Sequence, residues 1–132
     1  MRIKNFSTTV GLQIFKSLSE EPRIRIMNLL WKFEKLSISD LEMVLDYTQA
    51  KTSRHVNFLK NAGLLTSKQN NQWVLYSIKD EVLDVLANLI RYMEKDPVLQ
   101  KDIETCKILN SNRELSINKL QKNFYVSGGG KS

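Results

Sequence analysis

This sequence has little of what several protein classes depend on. Its 132 residues include one cysteine, Cys106, one histidine, His55, two prolines and five glycines. A single cysteine excludes an internal disulfide framework and a cysteine-built zinc finger. A single histidine, placed among basic residues, assembles no Ser/His/Asp, Cys/His or paired-carboxylate set, so the chain does not read as an enzyme. No apolar run approaches the roughly 20 residues of a membrane span. The opening residues, Met1 to Asn5, carry no apolar stretch of signal-peptide length, and the expected compartment is the cytoplasm. What remains is a globular composition, with 42% hydrophobic and 26% charged residues, in a length that suits one core.

Negative charge is missing where it matters most. The chain carries a net +6, and residues 51–79 hold Lys51, Arg54, Lys60, Lys68 and Lys79 without one carboxylate. The flanking stretches, 26–50 and 80–94, are net acidic, and the two ends are net basic. Solvated faces normally mix signs. A one-sign stretch interleaved with Asn, Gln, Ser and Thr suits a polyanion that also offers hydrogen-bonding edges, which points to nucleic acid.

Periodicity supplies the elements. Val10, Ile14 and Leu18, with Phe15 beside them, predict an amphipathic helix over residues 8–19. Pro22 suits the first turn of a second helix, behind Glu20 and Glu21 at the positive end of its dipole. That helix should reach about Glu34. Its apolar residues, from Ile24 to Phe33, cover most of the circumference and mark it as the central one, with Trp31 read as core. Leu36-Ser37-Ile38 reads as a brief strand. Ser39 and Glu42 then form a capping box for a short helix through Leu41, Val44 and Leu45. Asp46 and Tyr47 turn the chain, and Thr48 caps the next helix. There Thr52, Val56, Leu59 and Gly63 form one stripe while Ala50, Arg54, Asn57 and Asn61 lie opposite, and Gly63 closes the helix.

Residues 64–69 and 72–78 read as two strands, joined at Asn70-Asn71, which accept positive φ and so predict a hairpin. The helical period returns from Asp80 through Val82, Leu86, Leu89, Ile90 and Met93. After Pro97 a further helix runs through Leu99, Ile103 and Cys106, with a weaker stripe at Ile117, Leu120 and Phe124. The expected division is 1–94 for a DNA-binding domain, 95–126 for a helical extension serving dimerisation and 127–132 for a disordered tail.

Two short helices around a tight turn, the second basic and polar outside, followed by a hairpin, make a winged helix-turn-helix of mainly α (α+β) class. A helix fits the major groove, where exposed amides and hydroxyls meet base edges. The recognition helix is expected at residues 48–61. Thr48 caps its phosphate-facing end, and Lys51, Arg54 and Lys60 neutralise backbone charge. Gln49, Ser53, Arg54 and Asn57 are the candidates for base contacts, and Ala50 can offer its methyl to thymine. The wing tip, including Lys68, Asn70 and Asn71, is placed to reach the minor groove or backbone. His55 has two readings of equal weight, a nucleic-acid contact or a structural hydrogen bond.

The stretch Leu18-Ser-Glu-Glu-Pro-Arg-Ile-Arg-Ile-Met-Asn-Leu-Leu30, then Ser39-Asp-Leu41, then Thr48-Gln-Ala-Lys-Thr-Ser-Arg-His-Val-Asn-Phe-Leu-Lys-Asn-Ala-Gly-Leu64 resembles the ArsR/SmtB family of transcriptional regulators over roughly residues 8–94. The resemblance implies a homodimer built on its first and last helices, with one recognition helix per subunit in half of a palindromic operator, and repression relieved by an inducer. The metal sensors of that family carry Cys-Val-Cys before the third helix. Here those positions read Ser37-Ile38-Ser39, and hydroxyls are poor ligands for zinc or soft metals. The alternative metal site on the C-terminal helices needs paired histidines, so no metal and no cofactor are expected. Asp84, Glu94 and Asp96 read as a solvated face.

Cys106 lies on an apolar stripe and reads first as a small core residue. Pairing with its own copy across a dimer axis is the weaker, redox reading. The closing Gly-Gly-Gly-Lys-Ser mimics the end of a phosphate-binding loop but has Tyr125 where that loop needs glycine. The rival to DNA binding is a winged-helix module that docks a protein, with its basic face incidental.

Overall fold

A computed structural model describes residues 5–112. In chain order these form α1 (Thr8–Ser17), α2 (Glu21–Phe33), α3 (Ile38–Leu45), α4 (Gln49–Asn61), β1 (Leu65–Asn70), β2 (Trp73–Ile78), α5 (Asp80–Met93) and α6 (Pro97–Ser111). The predicted stripe at Ile117, Leu120 and Phe124 and the predicted tail lie outside the described residues.

The helix starts follow from side chains that satisfy open backbone N–H groups. Ser7 caps α1, Thr48 caps α4 through the Lys51 N–H at 3.1 Å, and Asp96 caps α6. Pro22 and Pro97 sit in first turns, where a missing N–H costs nothing. The capping box of α3 is not the predicted one. Ser37 Oγ accepts from the Asp40 N–H at 3.1 Å, and Asp40 Oδ2 accepts from the Ser37 N–H at 3.0 Å. The cap therefore lies two residues before the expected Ser39, and the helix begins at Ile38. The reason is tertiary. Leu36 exchanges backbone hydrogen bonds with Tyr76, at 3.2 and 2.9 Å, and this isolated bridge holds residue 36 extended just ahead of the cap.

The core gathers around α2, which buries Ile26, Met27, Leu29 and Leu30. Leu41 and Leu45 of α3, Val56 and Leu59 of α4, Leu65, Tyr76 and Ile78 of the hairpin, and Val82 and Leu86 of α5 close over it. Trp31 packs against this cluster from its edge, half-buried. Cys106 of α6 belongs to the same cluster, and α6 lies on α2 and α3. The division drawn at residue 94 is thus no packing boundary. Cys106, on the inner face of α6, is buried among core residues of the segment 1–94.

The hairpin is antiparallel, with Leu65 opposite Ile78 and Asn70 opposite Trp73. Its two-residue turn is Asn71-Gln72, one position later than predicted, because Asn70 stays in the ladder and Asn71 takes the left-handed φ of 59°. Asp46 ends α3 in that same region, at 58°, and Gly63 follows α4 at 88°.

Candidate DNA-binding surface

The sequence of α4 divides around the helix at 100° per residue. Thr52, His55, Val56 and Leu59 face inward and are buried. Thr48, Gln49, Ala50, Arg54, Asn57 and Lys60 are exposed, and Lys51 and Ser53 are half-buried at the margin. Thr52 spends its hydroxyl on the Thr48 carbonyl at 2.8 Å, which lets a polar residue sit in the core. Gln49 Nε2 lies 3.4 Å from Ser53 Oγ, a long contact that leaves both free to rearrange. Lys51 lies over the ring of Tyr47, its ammonium 4.0 Å from the centroid. At the hairpin tip Lys68, Asn70 and Asn71 are exposed, and Gln69 Nε2 donates to the Asn71 carbonyl at 2.7 Å, bracing the turn.

Of the twelve residues proposed from sequence, His55 is the one the fold takes off this surface. It is 3% exposed, and its Nδ1 accepts from Arg23 Nη1 at 3.2 Å. Arginine has no acceptor, so Nδ1 carries no proton and the ring is neutral with its proton on Nε2. Burial lowers the His55 pKa, the positive charges of Arg23, Arg54 and Lys51 lower it further, and Glu20 opposes them weakly. The structural reading of His55 replaces the contact reading.

Its partner is a residue that charge counting missed. Arg23 of α2 is 5% exposed and donates from Nε to the Ser17 carbonyl at 2.8 Å and from Nη2 to the Lys16 carbonyl at 3.0 Å. Its guanidinium also lies 4.0 Å from the Phe58 ring centroid. One side chain thus joins the end of α1, the start of α2 and the inner face of α4. The available signal was spacing: Arg23, Met27 and Leu30 lie at i, i+4 and i+7, so an arginine stands on the apolar stripe.

The redox reading of Cys106 is also corrected. The thiol is fully buried within the chain, and burial, together with the nearby Asp40 and Asp102, pushes its pKa up to about 12. A protonated, enclosed thiol is neither nucleophilic nor within reach of a second copy.

The helix-turn-helix, the hairpin beside it and the carboxylate-free outer face define a winged helix-turn-helix protein of the transcription-regulator class. The family described as bacterial regulatory protein, arsR family, matches residues 20–67. The chain is 35% identical over 84 residues to the arsenical resistance operon repressor of Escherichia coli K12, covering 64% of this chain and 72% of that one. It is 30% identical over 95 residues to the cadmium resistance transcriptional regulatory protein CadC of Listeria innocua, covering 71% and 80%. Among solved structures, HlyU from Vibrio cholerae N16961 superposes with a TM-score of 0.60 at 26% identity, covering 64% of this chain and 92% of that one. The chain belongs to the ArsR family. It is a DNA-binding transcriptional regulator, not an enzyme.

Proposed function

We propose that the protein is a homodimeric repressor, acting in the cytoplasm, that binds an inverted-repeat operator through α4 and the tip of the hairpin. The observation that carries this reading is the outer face of α4. Gln49, Arg54, Asn57 and Lys60 are exposed on one helix, Lys68 extends the charge onto the wing, and no carboxylate interrupts them between residues 49 and 79. In this reading Arg54 contacts guanine, Gln49, Ser53 and Asn57 read neighbouring edges, Ala50 meets a thymine methyl, and Thr48, Lys51, Lys60, Lys68, Asn70 and Asn71 hold the backbone. The dimer reading is supported by large apolar side chains exposed on two helices, Leu12 and Phe15 on α1 and Leu83 and Tyr92 on α5. Among the described residues no helix is long and apolar enough to cross a membrane.

Selection of bound fragments from genomic DNA, followed by a salt titration on the recovered site, tests this. An inverted repeat should be recovered, and affinity should fall on the order of 10³-fold between 50 and 200 mM salt if about six phosphates are neutralised. Arg54→Ala should cost about 1 to 3 kcal/mol per half-site of that operator. Binding that ignores salt, or stable capture of an acidic protein with no DNA selected, would overturn the proposal.

A further inference from the structure

The helix beyond the matched family segment, α6, is tied to the turn that precedes α4. Asp102 lies on its inner face and is 3% exposed. A carboxylate taken out of water needs a counter-charge and filled hydrogen-bond positions. Arg25 of α2 supplies both, with Nε donating to Oδ2 at 2.8 Å and Nη2 donating to Oδ1 at 2.8 Å. This two-pronged pairing fixes the plane of the guanidinium. Glu21, 3.7 Å from Nη1, is largely solvated and constrains it little.

Held at two nitrogens, Arg25 directs the third at Tyr47. Its Nη1 donates to the Tyr47 hydroxyl at 3.0 Å, and Tyr47 is the residue between the end of α3 and the cap of α4. The ring pinned in this way is the one that carries the Lys51 ammonium. A free lysine spreads its charge over many rotamers. Lying on a fixed ring, Lys51 keeps its charge beside the amino end of α4, where open backbone N–H groups and the helix dipole also favour an anion.

We infer that Asp102 is a positioning residue for DNA binding: through Arg25 and Tyr47 it fixes Lys51, so α6 sets how the first turn of α4 meets a phosphate. The inference rests on the reading of α4 as the recognition helix. It concerns residues of this chain, since Asp102 lies outside the segment 20–67 that defines the family match.

Asp102→Asn and Tyr47→Phe, in the full chain, test it against the selected operator. Each is present in both subunits of the dimer, so each should reduce the slope of log affinity against log salt by about 1.8, which is one phosphate contact per half-site, and weaken binding roughly sixtyfold at 0.1 M salt. Lys51→Ala should show the same change, and the double variant D102N/K51A should be no weaker than K51A. Leu99→Ala, from the same buried face of α6, should lower the melting temperature without moving the slope. Should D102N lower the melting temperature yet leave slope and affinity at wild-type values, or should D102N and K51A add in full, Asp102 is only structural. Tyr47→Phe removes one hydroxyl and keeps the ring, so it reports even if D102N folds poorly. Arg54→Ala separates the two levels. Unchanged binding in R54A removes the recognition-helix reading, whereas weakened binding in R54A with wild-type behaviour in D102N and Y47F removes the role of Asp102 alone.

Discussion

Replacing Arg23 by methionine keeps the aliphatic stem in place and removes only the guanidinium. The loss can be worked from its contacts. The Lys16 carbonyl also accepts from the Ser19 hydroxyl at 2.7 Å and the Ser19 N–H at 3.2 Å, so it is left with partners. The Ser17 carbonyl and His55 Nδ1 are buried acceptors that depend on Arg23. Hydrogen bonds from a charged donor are worth about 1.5 to 3 kcal/mol each, so these two contribute roughly 3 to 6 kcal/mol. The stacking on Phe58 adds about 1 kcal/mol. Relief from burying a cation offsets part of this, leaving a net loss of about 3 kcal/mol, or roughly 10 to 15 °C in melting temperature for a domain of this size. Urea denaturation followed by circular dichroism at pH 7 measures it, at one fixed protein concentration because a dimer's midpoint depends on that concentration. Arg23→Lys keeps the charge without the fork and should recover less than half of the difference. A loss below about 1 kcal/mol in R23M, or full stability in R23K, would refute the three-helix staple.

Three further outcomes are expected. Because the folded His55 pKa lies below the ordinary 6.5, the unfolded chain takes up a proton that the native state refuses; stability should be complete above pH 6.5 and fall as pH drops from there toward the lowered value. Thermal melts between pH 5 and 8 (approximately the histidine window) should show this slope in the wild type and lack it in His55→Asn. Gly63→Ala meets no atom within 4 Å of the new Cβ, so its cost is the left-handed backbone alone, about 1 to 2 kcal/mol in urea midpoint terms, and Gly63→Asn should cost less. Iodoacetamide should label Cys106 only as the chain unfolds, and rapid labelling of the native protein would contradict its enclosure.

The parts of the fold that were legible in the sequence are those set by local periodicity. The inward stripe of α4, the cap at Thr48 and the left-handed closure at Gly63 all follow from neighbours within a turn or two. The cap of α3 shows where local rules stop deciding. Ser37 and Ser39 each have an acidic residue three positions on, and the choice between them is made by the Leu36–Tyr76 bridge, a contact 40 residues away in sequence. The outer face of α4 was readable because exposure follows from the same periodicity, yet His55, at the edge of the stripe, needed its partner Arg23 to be known. Asp102 was harder still. It falls on the stripe of Leu99 and Cys106, but Arg25, which makes a carboxylate tolerable there, stands 77 residues earlier.

The bridge between Leu36 and Tyr76 gives the molecule something like a caliper. The root of the hairpin is buried at Leu65 and Ile78 and tied by two backbone bonds to the link between α2 and α3, so the wing cannot swing without breaking into the core. Its six-residue strands reach outward by about 20 Å, and the span from Arg54 to Lys68 becomes a constant of the fold. A ruler of fixed length shifts the work of adaptation to whatever it measures. An operator with one base pair inserted between the two contact points should forfeit one set of contacts, and bases that neither jaw touches should still be selected for how readily the duplex bends between them.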